Sequence, residues 1–385
     1  MPFHLKNDYV IAITMLMVMP FLPFLHPSMI AHGLESRTIL PDATNGQQGI
    51  TWLHTDGRHI KNARNETTTL KGVAWMELLW QTTLDQDIVT RTEQMSRYNV
   101  RLVRLCLNPH YWRQSSYVAL VDRIVSELQE RNIYLILDFM ALGSQTPKWS
   151  NEIAMKFMQN PSAVVTPSGT YNVTNWFVEI AARYKDIPAV AFYELLGQPL
   201  TNSDYPVDQL EPAWYSNSLH LTKAIHAANP RAIVLVPSVS ASRIQNGFLL
   251  SPLPEPNVVY TVHRYYHYDI PWQQYAKSYA AGGFGVASEQ QEKYYHDVVG
   301  LRMLDNPGKP VMVVEFGASP QDPNWARQVS DLYDLLERHE ISWVQWVWHP
   351  GDAVQLSLVG NDWHLTSPGM LWSTAVGTLV PTRRY

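Results

Sequence analysis

The sequence predicts an α/β protein, a (β/α)8 TIM barrel with a small N-terminal β-hairpin. Three observations carry that expectation. From Leu70 onward, eight short apolar runs alternate with stretches of helical period, over roughly 300 residues, which fits a barrel with insertions. Several runs end on polar or aromatic residues, where such a barrel keeps its chemistry. Neither a G-x-G-x-x-G nor a P-loop follows the first run, which counts against the alternative, an open doubly wound sheet.

The hairpin comes first. Ile50-Thr51-Trp52-Leu53 leads to Thr55-Asp56-Gly57-Arg58 and then His59-Ile60, two short runs joined at an Asp-Gly turn that could plug the bottom of a larger fold. The strand candidates are Leu70–Trp75, Val100–Leu107, Ile133–Asp138, Ala189–Leu195, Ala232–Val236, Val258–Val262, Val311–Glu315 and Ser342–Trp348. They are short, apolar and β-branched, the signature of strands covered on both faces. Helix candidates between them are Leu84–Tyr98, Tyr117–Arg131, Asn175–Tyr184, Trp214–Ala228, Glu289–Leu304 and Asn324–His339. The longer connections, Ala141–Tyr171 and Leu200–Glu211, would shape a cleft at the strand ends. Residues 49–385 therefore read as one domain.

Ahead of it, residues 1–31 carry Lys6, a nearly unbroken apolar run from Tyr9 to Leu25, and a small residue at Ala31. That is the layout of a secretory signal peptide. Pro20 and Pro23 weaken the alternative of an uncleaved membrane anchor. Residues 32–48 are polar and irregular and read as a linker. A secreted or extracytoplasmic location follows, with membrane attachment only if the segment stays uncleaved. Asn65-Glu66-Thr67 and Asn172-Val173-Thr174 match the N-glycosylation pattern, which is common by chance.

Composition narrows the function. The net charge of −5, without a basic run, disfavours nucleic acid. A single cysteine, Cys106, excludes an intrachain disulfide and a Cys-based zinc site, and its apolar setting makes it a small buried hydrophobe. No metal or organic cofactor is called for. The 14 Trp and 20 Tyr fit either a large core or a cleft that stacks sugar rings. Nothing calls for more than a monomer.

Seven stretches, in order over residues 50–350, resemble glycoside hydrolase family 5, the cellulase family. They are Leu70-Lys71-Gly72-Val73-Ala74-Trp75, Val103-Arg104-Leu105, Ile136-Leu137-Asp138-Phe139-Met140, Glu194-Leu195-Leu196-Gly197-Gln198-Pro199, Val259-Tyr260-Thr261-Val262-His263-Arg264-Tyr265, Val313-Val314-Glu315-Phe316-Gly317 and Trp346-Val347-Trp348. The resemblance implies retaining hydrolysis of a β-linked glycan by two carboxyl groups about 5–5.5 Å apart. Glu315 matches the nucleophile, with Arg104 and Tyr265 placed to orient it. His263, Trp75 and Trp348 match substrate-side positions, Trp348 as the sugar platform.

The resemblance also implies three departures. Gln198 stands at the acid/base position, and an amide cannot deliver a proton near neutral pH. Gly197 stands where the family has the Asn that binds the sugar 2-hydroxyl, and Met140 where it has a His. Losing general acid–base help costs roughly 10²–10⁴ in rate. Asp204 and Glu77, in loops after two strands, are possible substitute acids, whereas Glu194 and Asp138 read as structural. Two functions follow: a glycosidase with an impaired acid/base, or a non-catalytic carbohydrate-binding relative. A sugar-phosphate enzyme is disfavoured by the missing phosphate loop.

Overall fold

The computed structural model describes residues 49–80, 88–140, 160, 172–197, 207–239, 252–265, 301–305, 308–322, 325–350 and 356–377. The expected leader and linker, residues 1–48, lie outside this set, as do Gln198 and Asp204.

Eight parallel strands close into a barrel: β3 (Lys71–Trp75), β4 (Leu102–Leu107), β5 (Tyr134–Phe139), β6 (Val190–Glu194), β7 (Ile233–Pro237), β8 (Val258–Tyr265), β9 (Val311–Gly317) and β10 (Ser342–Gln345). Each pairs with the next, and β10 returns to β3. The expected (β/α)8 class is the observed one. The strands are buried on nearly every residue because apolar layers cover both faces. Alternate residues point inward, where Leu102, Cys106, Ile136, Phe192, Ile233 and Met312 fill the lumen. The other set packs outward against the helices.

The helices carry one apolar stripe each. In α2 (Ser115–Glu130) the buried residues are Tyr117, Val121, Ile124, Val125 and Leu128, the spacing of a single helical face. In α3 (Val173–Arg183) the Asn172 side chain accepts the Asn175 amide, so the helix begins two residues earlier than its apolar pattern indicates. Before these lies α1 (Ile88–Arg97). The later helices are α4 (Val207–Ala228), α5 (Arg302–Asp305), α6 (Trp325–Arg338) and α7 (Ser367–Ala375). The sequence pattern starts this helix at Trp214, yet α4 begins at Val207 and runs through Pro212. No expectation anticipated α7.

The hairpin forms as expected, with β1 (His54–Asp56) and β2 (His59–Lys61) joined through Gly57 at φ +54. Leu53 and Ile60 drop into the lumen cluster. The Thr55 amide donates to Asn257 just before β8, and the Ile50 amide to Asn132 just before β5. The hairpin thus covers the N-terminal end of the barrel, and the opposite end is left for chemistry.

Candidate active site

The strand ends bring four sequence candidates together. Arg104 sits on β4 between the inward residues Leu102 and Cys106, so its guanidinium rises inside the barrel. His263 and Tyr265 end β8, and Glu315 lies near the end of β9. In the sheet His263 faces Glu315, because a register shift after Val262 brings them level. Arg104 Nη1 donates to Glu315 Oε2 at 2.7 Å, and Tyr265 Oη donates to Oε1 at 2.8 Å. Both oxygens of Glu315 are thus oriented, and the residue retains 4% exposure at the mouth.

Arg104 is fully buried and serves two further carboxyls. Nε donates to Glu194 Oε2 at 2.7 Å, and Nη2 stands 2.9 Å from Asp138 Oδ2. Three carboxyls thus face one cation. Burial penalises the excess negative charge. It raises Asp138 to about 6 and holds Glu194 well above the carboxylate range, in both cases against the pull of Arg104. Asp138 is raised further by the Glu315 charge. Burial also lowers His263 to about 4, so its ring is neutral near pH 7, with Nδ1 at 3.5 Å from Glu315 Oε2. Burial pushes the Cys106 thiol well up, which leaves it an inert hydrophobe, as expected.

Gly197 follows β6 and closes against this cluster. A β-carbon there would fall 2.8 Å from Arg104 Nη2 and 3.0 Å from each carboxyl oxygen of Asp138. A side chain there would have to displace the ends of these two neighbouring side chains. Met140 is buried in the lumen layer beyond β5. Gln198, the next residue after Gly197, lies outside the described residues.

Two expected aromatic contacts are corrected. Trp75 and Trp348 are fully buried in the layer between barrel and helices. The Arg91 guanidinium covers the Trp75 ring at 4.6 Å, while Tyr98 and Trp372 pack on Trp348 at 5.8 and 6.1 Å. Neither ring is open to a sugar. The misplacement of Trp348 arises because the last strand ends at Gln345, three residues earlier than the apolar run. Trp346, just past that end, is half-buried against the lumen cluster and is the aromatic candidate that sequence reasoning passed over. The signal was the outward or inward parity of the strand, which its unknown end concealed. Trp112 is a core residue, packed on Trp176 at 5.8 Å.

Glu77 is engaged elsewhere. Arg91 Nη1 lies 2.6 Å from its Oε1, and His349 Nδ1 lies 3.0 Å from the same atom. Burial acts to raise this carboxyl, but Arg91 and His349 outweigh it and hold it below the usual range. A carboxylate so held is a poor proton donor. Among the described residues no group of His, Cys, Asp and Glu is arranged to hold a metal ion.

A parallel barrel of eight strands with an oriented carboxylate at its C-terminal mouth is an architecture on which retaining glycosidases are built. The chain matches the family model Cellulase (glycosyl hydrolase family 5) over residues 56–352 and belongs to that family. It is 22% identical over 312 residues to the endoglucanase MaCel5A of Microbulbifer sp. (strain ALW1), covering 76% of this chain and 50% of that protein. The chain thus spans about half the length of that curated relative. Among solved structures it resembles the beta-glucanase SdGluc5_26A of Saccharophagus degradans in complex with cellotetraose (TM-score 0.65, 18% identity, covering 86% of this chain and 94% of that one). It also resembles the hyperthermophilic endocellulase of the archaeon Pyrococcus horikoshii (TM-score 0.64, 16% identity, covering 86% and 100%). At these identities the structural likeness speaks for the fold.

Proposed function

We propose that the chain binds a β-linked glucan at the barrel mouth and cleaves it by a retaining route in which Glu315 attacks the anomeric carbon. The observation that carries this reading is the double hold on Glu315, from Arg104 on one oxygen and Tyr265 on the other. A nucleophile fixed at the angle of attack saves orientational entropy at the reacting centre. His263, neutral beside it, would accept or donate a hydrogen bond to the sugar, and Trp346 would offer a ring face. Family membership and relatives that bind cellotetraose support a glucan as partner. Export through the N-terminal segment fits a polymeric substrate, and N-terminal sequencing of protein from the medium tests it.

Gln198 favours a second reading, a carbohydrate-binding barrel without turnover. A 2,4-dinitrophenyl 2-deoxy-2-fluoro-β-cellobioside separates the two, because its leaving group needs no protonation. Stoichiometric labelling, lost in Glu315→Gln, supports the nucleophile. Absence of label with cellotetraose binding retained would leave the binding role.

A further inference from the structure

We propose that Glu194 is a positioning residue for Glu315, acting as a neutral acid through Arg104 and His263. This rests on the reading of Glu315 as an ionised nucleophile. Two side chains span the two glutamates. Arg104 Nε donates to Glu194 Oε2 and Nη1 donates to Glu315 Oε2, each at 2.7 Å. His263 Nδ1 lies 3.5 Å from Glu315 Oε2, and its Nε2 lies 4.0 Å from Glu194 Oε1. Glu194, Arg104, Glu315 and His263 thus close a ring drawn from β6, β4, β9 and β8. Glu194 and Arg104 are fully buried, so they act on the mouth only through the other two.

The ring constrains where protons sit. An ionised Glu315 only accepts, so the Nδ1 that faces it carries the hydrogen of the neutral imidazole. Nε2 is then the unprotonated nitrogen, and it faces Glu194 Oε1. A carboxylate oxygen there would set two lone pairs against each other. A protonated Oε1 turns the contact into an attraction, while Oε2 remains the acceptor for Arg104 Nε. Among the described residues Oε1 makes no hydrogen bond that would compete.

Counting charges leads to the same assignment. The groups facing Glu194 are Arg104, His263, Asp138 and Glu315, and Asp138 itself stands 2.9 Å from Arg104 Nη2. Arg104 is the one cation among them, so three ionised carboxyls would leave two uncompensated charges in the barrel. Burial, the largest influence on Glu194, favours its protonated form. What Glu194 supplies is therefore geometry. It holds Arg104 at Nε so that Nη1 points at Glu315, and it selects the His263 tautomer that turns Nδ1–H to the same oxygen. Both donors favour the charged form of Glu315.

The test compares Glu194→Leu with Glu194→Gln, with the 2-fluoro reagent reading how fast Glu315 attacks and how that rate depends on pH. Leucine removes both contacts and adds no charge. Expected is labelling slower by about 10- to 100-fold at saturating reagent, with the acid limb of the pH profile moved up by about one unit. Glutamine keeps an acceptor for Arg104 and a donor for His263, and should recover most of the rate and the wild-type limb. Glutamine as slow as leucine would mean that Glu194 acts by its charge, which overturns the inference. Leucine with the wild-type rate and limb, and only a lower melting temperature, would make Glu194 structural and overturn it too. An infrared difference spectrum of wild type against Glu194→Gln at pH 7 decides the protonation whether or not the leucine variant folds. A protonated-carboxyl stretch present in wild type and missing from the variant supports the neutral acid, and a carboxylate band alone overturns it. All these outcomes leave the reading of Glu315 standing, whereas wild type that itself fails to label overturns both.

Discussion

Gly197 and Asp138 compete for one volume: a β-carbon on the glycine would lie 3.0 Å from each carboxyl oxygen of the aspartate. The same β-carbon would press on Arg104 Nη2 at 2.8 Å, and neither neighbour is free to yield, since both are fully buried. The departure from the family pattern at 197 is therefore coupled to residues on two other strands.

Restoring the family residue alone should accordingly fail. Gly197→Asn is expected to destabilise the protein by about 1–3 kcal/mol, the usual range for overpacking. Gly197→Asn combined with Asp138→Ser should recover most of that loss, because the smaller residue vacates the contested space. Thermal melts of the two singles and the double form the cycle. Additive losses would show that the two positions do not share the space.

Tyr265→Phe removes the hydrogen bond to Glu315 Oε1 and leaves the Arg104 contact in place. A bond to a charged group contributes roughly 1.5–3 kcal/mol. The labelling rate with the fluoro reagent should drop by about 10- to 150-fold, with melting nearly unchanged. An unaltered rate would mean that Arg104 alone orients the nucleophile.

His263 links stability to pH. Its folded pKa of about 4 lies below the ordinary 6.5, mainly through burial, so folding favours the neutral ring. The unfolded chain binds the extra proton between those values. The stability is therefore complete above pH 6.5 and is lost as pH falls towards 4, by at most about 1.4 kcal/mol per unit. Asp138, raised to about 6, has the opposite slope, since its favoured protonated form is lost as pH rises from 3.8 to 6. The comparison with His263→Gln isolates the histidine. Urea unfolding at pH 7 and pH 5 should show the wild-type advantage shrinking by about 1–2 kcal/mol. A constant difference would contradict the neutral assignment.

Glu77 should prove structural. Glu77→Gln leaves the buried Arg91 without its charge partner, and breaking such a pair costs roughly 3–5 kcal/mol. The dependence of kcat/KM on leaving group should stay that of wild type. A steeper dependence would instead make Glu77 the proton source.

Much of the fold was legible because it is written in adjacent residues. Apolar runs of strand length, one helical stripe per connection and the Asp56-Gly57 turn each report a local preference. Boundaries were less legible. The apolar run at the last strand continues to Trp348, but pairing stops at Gln345, and only pairing decides which ring faces the lumen. Asn172 sets the start of α3 by capping, and α4 runs through Pro212, since capping and neighbour packing can outweigh the periodic signal.

By itself the sequence determined the order of strands and helices, the family motifs, and the candidates Glu315, Arg104, His263 and Tyr265. Hydrophobic pattern and residue chemistry are properties of the chain in one dimension. The tertiary structure decided what those residues meet. Arg104 reaches Glu315 across 211 positions, and Glu194 across 90. It put Trp75, Trp348 and Glu77 to structural use. It also showed that the side-chain ends of Arg104 and Asp138 crowd the space a β-carbon at Gly197 would take. Excluded volume and the protonation of a buried charge cluster depend on distances between strands, which no stretch of sequence contains.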